Sequence, residues 1–543
     1  MSSEARGAEL VRAVVARVTD PDDPMTPAQA LRAVTPGDVE RVLHPQADGD
    51  DSAGSGPAPT VAVGIGASPG VASGIAVFDA WRALDATDEG RTVILVRPET
   101  APADEPGMAV AAGVLTSGGG LTSHAAVVAR GRGLPAVCGA DSIMVGDDSF
   151  TTNAGVTVRE GDVISIDGST GEVFAGVVTV TDDDVPAELE VLLGWADEAR
   201  AGTLAVRANA DTAADAALAR SFGAEGIGLC RTEHMFLGTD RLPLVQRMIL
   251  ADGPEAELAA LDELHRAQRH DFAEVLAAMD GLPVTIRLLD PPLHEFLPDV
   301  GDLEVAEARG ELAPGDAELL AAARRWHEHN PMLGVRGVRL AVLKPAVYRM
   351  QVRALVEAAL DRLDAGGTPR VQVMIPLVST AAELALARHW VVDEVAATLG
   401  DRSGQVEVPV GAMVETPRAA LRAGELAADA QFLSFGTNDL TQMTFGFSRD
   451  DIGRILDTYL EQGLLAADPF STIDVDGVGE LVASGVVRAR ERRPELEIGV
   501  CGEHGGDPAS IAFFLAAGVD YVSCSPFRVP IARLAAARAV LGV

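Results

Sequence analysis

From residue 202 to its end, the chain alternates short β-branched runs with long stretches rich in Ala, Leu, Arg and Glu. Seven such runs occur: LAVRANA, GIGLC, VTIRLL, VQVMIPL, VPVGAMV, FLSFGT and EIGVC. Strands that alternate with helices form parallel βαβ units, because each helix returns the chain to the same end of the sheet. An eighth strand near GVRGVRL would close the sheet, so the pattern predicts a (β/α)8 barrel over residues 202–543.

Composition divides the part of the chain before this barrel into three segments. Residues 1–60 combine the apolar periodicity of short helices with a small, polar linker from residue 48 onward. Residues 61–179 alternate β-rich runs with glycine-rich turns and predict a compact α/β domain. Residues 180–201 contain PAELEVLLGWADEARA, which is typical of a helical connector. The predicted fold class is therefore α/β, with a small domain followed by a barrel.

Charge and cysteine content exclude several classes of protein. The chain has 80 Asp and Glu against 43 Lys and Arg, and this net charge of −37 argues against a nucleic-acid or anionic-membrane partner. No stretch approaches a membrane span, and the first residues lack the apolar segment of a signal peptide. The four cysteines are far apart and form no CxxC pair, as expected of reduced thiols in a cytoplasmic protein.

His124 lies in GGGLTSHAAVVARGRGLPAVCGA (118–140), between a glycine run and a predicted helix of small residues. Thr122 or Ser123 is placed to cap this helix, and His124 would then lie at its N-terminus. Backbone N–H groups and the positive end of the helix dipole would stabilise an imidazole that carries a phosphoryl group. A histidine without any role beside a helix cap has the same spacing, so the residues alone leave both interpretations open.

The segment 118–140, followed by GDVISIDGSTGEVFAG (161–176), resembles the phosphohistidine domain of the pyruvate, phosphate dikinase family. The resemblance continues through the predicted barrel in GIGLCRTEHMF, TIRLLDPPLHEFLP, NPMLGVRGVRL, GAMVETPRAAL, FLSFGTNDLTQMTFGFSRDD, DPFSTIDVDGVGEL, GVCGEHGGDP and DYVSCSPFRVPIAR. It implies a swivelling α/β histidine domain that collects phosphate from phosphoenolpyruvate (PEP) on a (β/α)8 TIM barrel. It also implies Mg²⁺ as cofactor and a homodimer formed through the barrel.

Three arginines lie in or just after predicted strands: Arg231 in CRTEH, Arg287 in TIRLLD and Arg336 in GVRG. Lys344 is the single lysine, so arginine must supply nearly all positive charge. Active sites of such barrels lie at the C-terminal ends of the strands, and guanidinium groups bind phosphate and carboxylate bidentately. These arginines therefore fit PEP, whereas ordinary surface salt bridges are the alternative.

Glu415 in AMVET and Asp439 in GTNDL follow two later strands. A pair of carboxylates beside substrate oxygens suits Mg²⁺, although Asp439 could equally cap the helix that follows it. The resemblance implies that both carboxylates hold Mg²⁺ and that Asn438 hydrogen-bonds the substrate.

Cys501 in GVCGEHGG ends the last of the seven runs. The resemblance implies that this thiol is the general acid that protonates the pyruvate enolate, and we expect its pKa to be tuned toward neutrality. An inert buried thiol is the alternative, and it is our expectation for Cys138 and Cys524.

Members of this family begin with a large ATP-grasp domain that phosphorylates the histidine from ATP. About 60 residues precede the predicted histidine domain here, and the sequence has no Walker A motif. We therefore expect a phosphotransferase that carries out the PEP/pyruvate half-reaction on His124, with the ATP-dependent half on a separate ATP-grasp protein.

Two other functions stay open. One is a phosphocarrier like Enzyme I of the sugar phosphotransferase system, which passes phosphate to an acceptor protein. Against it, the strand GIAVF ends too close to His124 to leave room for an acceptor-binding subdomain. The other is a non-catalytic regulatory relic, and the complete set of arginine, carboxylate and cysteine positions argues against it.

Overall fold

The computed structural model describes residues 7–22, 25–43, 46–47, 58–100, 104–120, 123–178, 180–181, 185–236, 241–251, 253–449 and 452–543. Most of the predicted linker at 48–60 lies outside these ranges, as does Thr122. Within them, no helix combines the length and the apolar character that crossing a bilayer requires.

The N-terminal segment consists of α1 (Ala8–Thr19), α2 (Pro27–Ala33), α3 (Pro36–Leu43) and the short strand β1 (Gln46–Ala47). A capping box starts α2, because the Thr26 hydroxyl accepts from the Gln29 N–H while the Gln29 side chain accepts from the Thr26 N–H. Apolar side chains of α1 to α3 share one core with residues 187–200 and 529–540. This segment is therefore packed on the C-terminal part of the chain by burial of apolar surface.

Residues 58–178 form an α/β domain, which we call the histidine domain. Its elements are β2 (Thr60–Val63), β3 (Ile65–Ser68), β4 (Val71–Val77), α4 (Ala80–Asp88), β5 (Val93–Arg97), α5 (Glu105–Val110), β6 (Gly113–Thr116), α6 (His124–Arg132), β7 (Ala136–Cys138), β8 (Ile143–Val145), β9 (Ser149–Thr152), β10 (Thr157–Arg159), β11 (Val163–Asp167) and β12 (Glu172–Ala175).

Eight of these strands form one mixed sheet in the order β2-β12-β11-β4-β5-β6-β7-β3. Strands β4 to β7 are parallel, and the other pairs are antiparallel. Helices α4, α5 and α6 cover one face, and the small sheet β10-β9-β8 covers the other. The sheet therefore has a core on each side, and α6 starts at its first residue, His124.

A short strand, β13 (Val180–Thr181), pairs with β1, and the predicted connector contains helix α7 (Ala187–Arg200). A closed barrel of eight parallel strands follows. Its strands are β14 (Ala205–Asn209), β15 (Ile227–Arg231), β16 (Pro283–Arg287), β17 (Arg370–Ile375), β18 (Val410–Val414), β19 (Phe432–Phe435), β20 (Glu497–Val500) and β21 (Tyr521–Cys524). The predicted α/β class and the barrel are thus confirmed. All seven predicted runs form barrel strands, since a strand covered on both faces has a continuous apolar sequence.

Helices surround the barrel and carry part of its rim. They are α8 (Ala213–Ser221), α9 (Leu242–Leu250), α10 (Pro254–Ala278), α11 (Val300–Arg309), α12 (Asp316–Trp326), α13 (Gly337–Leu343), α14 (Pro345–Asp364), α15 (Ala381–Leu399), α16 (Pro417–Leu421), α17 (Ala423–Asp429), α18 (Thr437–Phe445), α19 (Gly453–Glu461), α20 (Glu480–Arg492), α21 (Pro508–Ala517) and α22 (Val529–Val540). The long connection between β16 and α13 contains α11 and α12, so it forms a substantial part of the rim.

The predicted position of the eighth strand is wrong. The segment GVRGVRL ends in helix α13, whose first residue, Gly337, has a φ of +57° that no strand adopts. Arg336 therefore lies in the loop before α13 and not at a strand end. The closing strand is β21, which pairs in parallel with both β14 and β20. This strand was not predicted because it has only four residues, and two of them, Ser523 and Cys524, are not typical strand formers.

Gly499 on β20 faces the ring of Tyr521, and a Cβ at this glycine would lie 1.9 Å from Tyr521 Cζ. We predict that Gly499→Ala lowers the free energy of unfolding by about 1–3 kcal/mol, the usual cost of overpacking a filled core. Chemical denaturation of both proteins measures the difference.

Gly194→Ala in α7 is the matched control, because nothing lies within 4 Å of a Cβ there and alanine favours a helix by about 1 kcal/mol. If the two variants were equally stable, the tight contact between Gly499 and Tyr521 would be contradicted.

Candidate active site

A cavity of about 270 Å³, here called the barrel cavity, opens at the C-terminal ends of the strands. Arg231 and Arg287 are the last residues of β15 and β16, and Glu415 directly follows β18. Parallel strands all deliver the residues that follow them to the same end of a barrel. Seven of the eight predicted site residues therefore line this cavity: Arg231, Arg287, Arg336, Glu415, Asn438, Asp439 and Cys501.

Arg287 is 7% exposed and lies between two acidic partners. Its guanidinium donates to Glu233, and its Nη1 lies 3.1 Å from Oδ2 of Asp290. Burial acts to lower the pKa of Arg287, but Glu233, Asp290 and Glu415 outweigh burial and raise the pKa above its usual value. Arg287 is therefore a fixed positive charge in a partly desolvated site, as recognition of an anion requires.

Arg336 shares Asp290 with Arg287. Its guanidinium donates to Asp290 and, at 3.3 and 3.2 Å, to the two carboxylate oxygens of Asp439. Burial acts to lower the pKa of Arg336, and the two aspartates raise it further than burial lowers it. An arginine at a strand end and an arginine in a loop are thus joined through one carboxylate.

Arg231 is oriented by Asp211, which lies two residues beyond the end of β14. Asp211 Oδ1 accepts from the backbone N–H of Arg231 at 2.6 Å, and Oδ2 lies 3.7 Å from Nη1 of the same arginine. Oδ2 is also 2.7 Å from Nδ1 of His234. One carboxylate therefore fixes both the strand end and the side chain of Arg231.

Glu415 is buried, and an unusual backbone segment holds its carboxylate. The N–H of Leu377 donates to Glu415 Oε1 at 2.5 Å, and Leu377 has a φ of +54°. This left-handed conformation costs a residue with a side chain about 1–2 kcal/mol, so the surrounding structure must hold it in place. Burial, followed by the charges of Asp290 and Asp439, raises the pKa of Glu415 well above its usual value.

Glu415 and Asp439 are the oxygen donors that fit the expected Mg²⁺. Among the residues that the structure describes, no three His, Cys, Asp or Glu side chains form a metal-binding group. Two carboxylates are nevertheless enough for Mg²⁺, which keeps several waters and takes further oxygens from a substrate. Beyond burial, repulsion from Asp290 and Asp439 raises the pKa of Glu415, and a divalent cation would relieve that repulsion.

Asn438 and Asp439 lie in the first turn of α18, whose N-cap is Gly436. The Asp439 carboxylate accepts from Arg336 and, at 3.1 Å, from Gln442, so the alternative that Asp439 caps this helix is wrong. Asn438 Oδ1 accepts from the backbone N–H of Glu503 at 2.9 Å, which fixes the orientation of its amide.

Cys501 follows β20 and is 1% exposed. Burial raises the pKa of its thiol to about 11, an effect that Ser434 offsets only in part. The expected shift toward neutrality is therefore wrong, because this thiol packs in an apolar cluster with Leu229, Met374, Met413 and Phe432. A thiol with such a pKa keeps its proton at neutral pH, which suits a proton donor and not a nucleophile.

His124 begins α6, and Ser123 caps that helix by accepting from the Ala126 N–H at 3.3 Å. Its side chain is half-buried, and its Nδ1 lies 3.1 Å from Oγ1 of Thr100. His124 does not line the barrel cavity, so the structure brings seven of the eight predicted residues together and holds the eighth on the histidine domain.

Sequence reasoning missed several polar residues of the site. Glu233 and Asp290 lie two and three residues after Arg231 and Arg287, and the need of a buried arginine for a nearby carboxylate could have indicated both. Ser434 and Tyr521 are buried inside the barrel. Ser434 lowers the pKa of the Cys501 thiol, and Cys501 contributes to raising the pKa of Tyr521. Nothing in the sequence distinguished these two from other core positions.

Two family models and several known proteins match this chain. Residues 190–541 match the family model described as PEP-utilising enzyme, PEP-binding domain, and residues 90–171 match PEP-utilising enzyme, mobile domain. The chain is 49% identical to pyruvate, phosphate dikinase of Rhizobium meliloti (strain 1021), over 94% of this chain and 56% of that protein. It is also 49% identical to the chloroplastic pyruvate, phosphate dikinase 1 of Arabidopsis thaliana, over 95% of this chain and 53% of that protein.

The chain thus spans about half the length of the curated relatives it matches. A solved structure of nitroalkane oxidase from Streptomyces ansochromogenes aligns with 60% of this chain and covers 67% of the oxidase chain, at 14% sequence identity. The TM-score of 0.25 is too low to indicate a shared fold.

The raised pKa of Cys501 leads to a spectroscopic prediction. At a pH of about 8.5, where an ordinary thiol is half ionised, Cys501 should carry almost no thiolate. The difference in ultraviolet thiolate absorbance between the wild type and Cys501→Ser measures this one group, and we expect that difference to be absent until the pH approaches 11. The same pair of proteins in denaturant supplies the control, since the unfolded thiol must ionise normally. Half ionisation of native Cys501 near pH 8.5 would contradict the effect of burial.

Proposed function

This chain belongs to the family of PEP-utilising enzymes, and we propose that it transfers a phosphoryl group between PEP and His124, with release of pyruvate. The observation that carries the proposal is the convergence of three arginines, two carboxylates, an amide and a protonated thiol on one cavity. PEP has a phosphate, a carboxylate and a carbon that must gain a proton, and each of these groups has a chemical counterpart among those side chains.

In the proposed complex, Arg231, Arg287 and Arg336 bind the two anionic groups of PEP. Glu233 and Asp290 raise the pKa of Arg287, and Asp290 does the same for Arg336, so both guanidinium groups remain charged inside the site. Guanidinium groups bind phosphate and carboxylate oxygens in pairs, which fixes the orientation of the substrate as well as its position. Asn438, held by the N–H of Glu503, adds a hydrogen bond from its amide.

Glu415 and Asp439 would hold Mg²⁺ beside the bound substrate. When bound, Mg²⁺ supplies positive charge to the oxygen that becomes the enolate. The carboxylate of Glu415 is aimed by the Leu377 N–H, and that of Asp439 by Arg336 and Gln442. These contacts orient the two oxygen donors before any ligand arrives.

The chemical step exchanges one bond to phosphorus for another. The bond between phosphorus and the enol oxygen breaks while an imidazole nitrogen of His124 bonds to phosphorus. Because Thr100 contacts Nδ1, Nε2 is the nitrogen that we assign as the nucleophile. The enolate left behind takes a proton from Cys501 at its methylene carbon and becomes pyruvate, and solvent later restores the thiol proton.

His124 must reach the barrel cavity for this transfer, although it does not line that cavity in the structure. We assign the movement to the histidine domain as a unit, which agrees with the description of its family model as a mobile domain. The connector 180–201 must permit this movement, while its helix α7 stays packed against α22 and the N-terminal helices. Such domain motions take place in microseconds to milliseconds and gate the chemistry without contributing to it.

The ATP-dependent half of a dikinase reaction is proposed to reside on a separate ATP-grasp protein. The half-reaction above needs only the histidine domain and the barrel. Pairing of two barrels and a location in the cytoplasm remain expectations that follow from the resemblance.

A labelling experiment tests the acceptor. We predict that His124→Ala abolishes transfer of phosphate from isotopically labelled PEP to the protein. The substitution removes the imidazole at the first position of α6, which is the proposed phosphate acceptor. His389→Ala is the matched control, since that histidine is 68% exposed on α15 and far in sequence from the histidine domain. Acid-labile label that persists in His124→Ala would assign the acceptor elsewhere and overturn the proposal.

A second prediction separates proton transfer from binding. Cys501→Ala should bind PEP about as well as the wild type, because the arginines supply the binding energy. It should lose pyruvate formation and exchange of the pyruvate methyl protons by roughly 10²–10⁴-fold, the usual contribution of a general acid.

Cys138→Ala, a buried cysteine on β7, should retain both activities. A Cys501→Ala protein that exchanges protons at the wild-type rate would remove Cys501 from the mechanism.

A further inference from the structure

A second cavity, of about 490 Å³, lies between the histidine domain, the N-terminal helices and the barrel. We call it the interdomain cavity. The histidine domain contributes Arg130 from α6, the N-terminal segment contributes Glu40 and Arg41 from α3, and the barrel contributes Glu503 and Arg528. None of the eight predicted site residues lines it, and Arg449 is the residue that its lining shares with the barrel cavity.

The charge of this cavity is opposite to that of the protein. Four arginines line it against two glutamates, in a chain whose acidic residues outnumber its basic ones by 80 to 43. Nη1 of Arg41 lies 3.0 Å from Oδ1 of Asp38, and Nη1 of Arg528 lies 3.2 Å from Oε1 of Glu40. These two arginines therefore each form an ion pair with a carboxylate. The other glutamate of the lining, Glu503, lies near enough to Arg449, Arg130 and Arg528 for their charges to lower its pKa against the effect of burial.

The positive charges are crowded. Burial lowers the pKa of Arg130, and the nearby charges of Arg528 and Arg449 lower it further, against the opposing effect of Glu503. Arg130 also donates to the carbonyl of Ala67 at 3.1 Å, which orients its guanidinium within the histidine domain. Arg449 and Arg528 of the barrel thus lie close enough to act on the charge of Arg130, as do the carboxylates of Glu503 and Asp468. An anion bound among the three arginines would place a negative charge beside three cations.

The rest of the lining fits an oxyanion and not an apolar ligand. Ser169, Ser471 and Ser525 supply hydroxyl groups to the lining, which also includes Gly66 and Gly168. A Cβ at Gly168 would lie 1.8 Å from the carbonyl of Ser68, so this close approach of two backbone segments requires glycine. Arginines and hydroxyl groups together are typical of sites that bind phosphate groups.

We propose that the interdomain cavity binds a small phosphate-bearing anion, which joins Arg130 of the histidine domain to Arg528 and Arg449 of the barrel. Bound there, the anion holds the two domains together and opposes the movement of the histidine domain. Inorganic phosphate, pyrophosphate and a sugar bisphosphate share the necessary chemistry. The binding itself does not depend on the proposed reaction, and only its effect on turnover does.

Hydrogen–deuterium exchange of the full chain with pyrophosphate tests the proposal. We expect slower exchange on both walls of the cavity at once, in residues 64–70 and 165–171 of the histidine domain and in residues 524–529 of the barrel. Inorganic phosphate and a hexose bisphosphate, run as separate arms, distinguish a simple inorganic anion from a larger organic one. Protection confined to the strand ends at 227–231 and 283–290 would place the anion in the barrel cavity and overturn the proposal.

Three substitutions sharpen the test. Arg528→Gln should weaken pyrophosphate binding at least tenfold, because one charge-assisted contact is lost. Glu40→Gln should strengthen binding, because the carboxylate that competes for Arg528 is removed. Arg132→Gln, on the exposed side of the same helix as Arg130, should change binding less than twofold.

A purely structural role for the Arg528–Glu40 ion pair predicts instead that both partners' variants lose the exchange protection to the same extent. That outcome would overturn the proposal, as would an Arg528→Gln protein that folds, judged by its denaturation curve, and binds pyrophosphate like the wild type. Loss of PEP labelling in His124→Ala, with the exchange protection intact, would leave the proposed function and this site independently supported.

Discussion

The carboxylate of Asp290, shared by Arg287 and Arg336, is the interaction on which the rest of the candidate active site depends. Burial acts to raise the pKa of Asp290, but the two arginines hold it below its usual value, so the group remains a buried anion between two cations. Removing one partner of such a set leaves an uncompensated buried charge, at a cost of about 3–5 kcal/mol. The site therefore holds its positive charge in place before substrate arrives.

The same arrangement explains how a strongly acidic protein can bind an anion. The net charge of −37 would repel an anion such as PEP from most of the protein surface. Within the barrel cavity, ion pairs with neighbouring carboxylates hold the arginine side chains in place. Substrate oxygens would compete with Asp290 and Asp439 for guanidinium N–H groups, so part of the binding energy offsets the loss of those contacts. Affinity is moderated in this way, while the orientation of each guanidinium is retained.

Backbone strain supports this geometry from behind. Gly337, next to Arg336, donates its N–H to the carbonyl of Asp290 at 2.7 Å, and a Cβ at Gly337 would lie 2.7 Å from Cβ of Leu377. Leu377 in turn donates to Glu415 from its left-handed conformation. Two adjacent backbone segments with positive φ thus connect the arginine and carboxylate groups. Only Leu377 is strained, since glycine adopts a positive φ without steric cost, and tertiary packing supplies the energy that this strain requires. Neither feature was predicted from the sequence, since a left-handed leucine has no sequence signal and contradicts local propensity.

What the sequence did predict follows from local physics. Seven barrel strands were recognisable because a strand buried on both faces needs a continuous apolar run, and Arg231, Arg287 and Glu415 were recognisable because barrels place site residues at the ends of those runs. The roles expected of Asn438 and Cys501 followed from the family resemblance. The closing strand Tyr521–Cys524 was missed because it is short and contains Ser and Cys, and its pairing with β14 is set by the whole barrel. The pKa of Cys501 was mispredicted because it depends on neighbours from four strands, of which none is near it in sequence.

The contrast between two interfaces bears on how the histidine domain can move. The N-terminal helices share a continuous apolar core with α7 and α22, and separating them would expose that core to water. In the described part of the chain, the apolar clusters of the histidine domain include no barrel residue. Its contacts with the barrel include Phe527 against Gly133 at the end of α6 and the charged lining of the interdomain cavity. A polar interface of this kind costs little to open in water, because its charged groups are solvated on separation. The fold therefore attaches the N-terminal helices to the barrel through a shared apolar core, whereas the histidine domain has no such shared core, as the proposed movement of His124 requires.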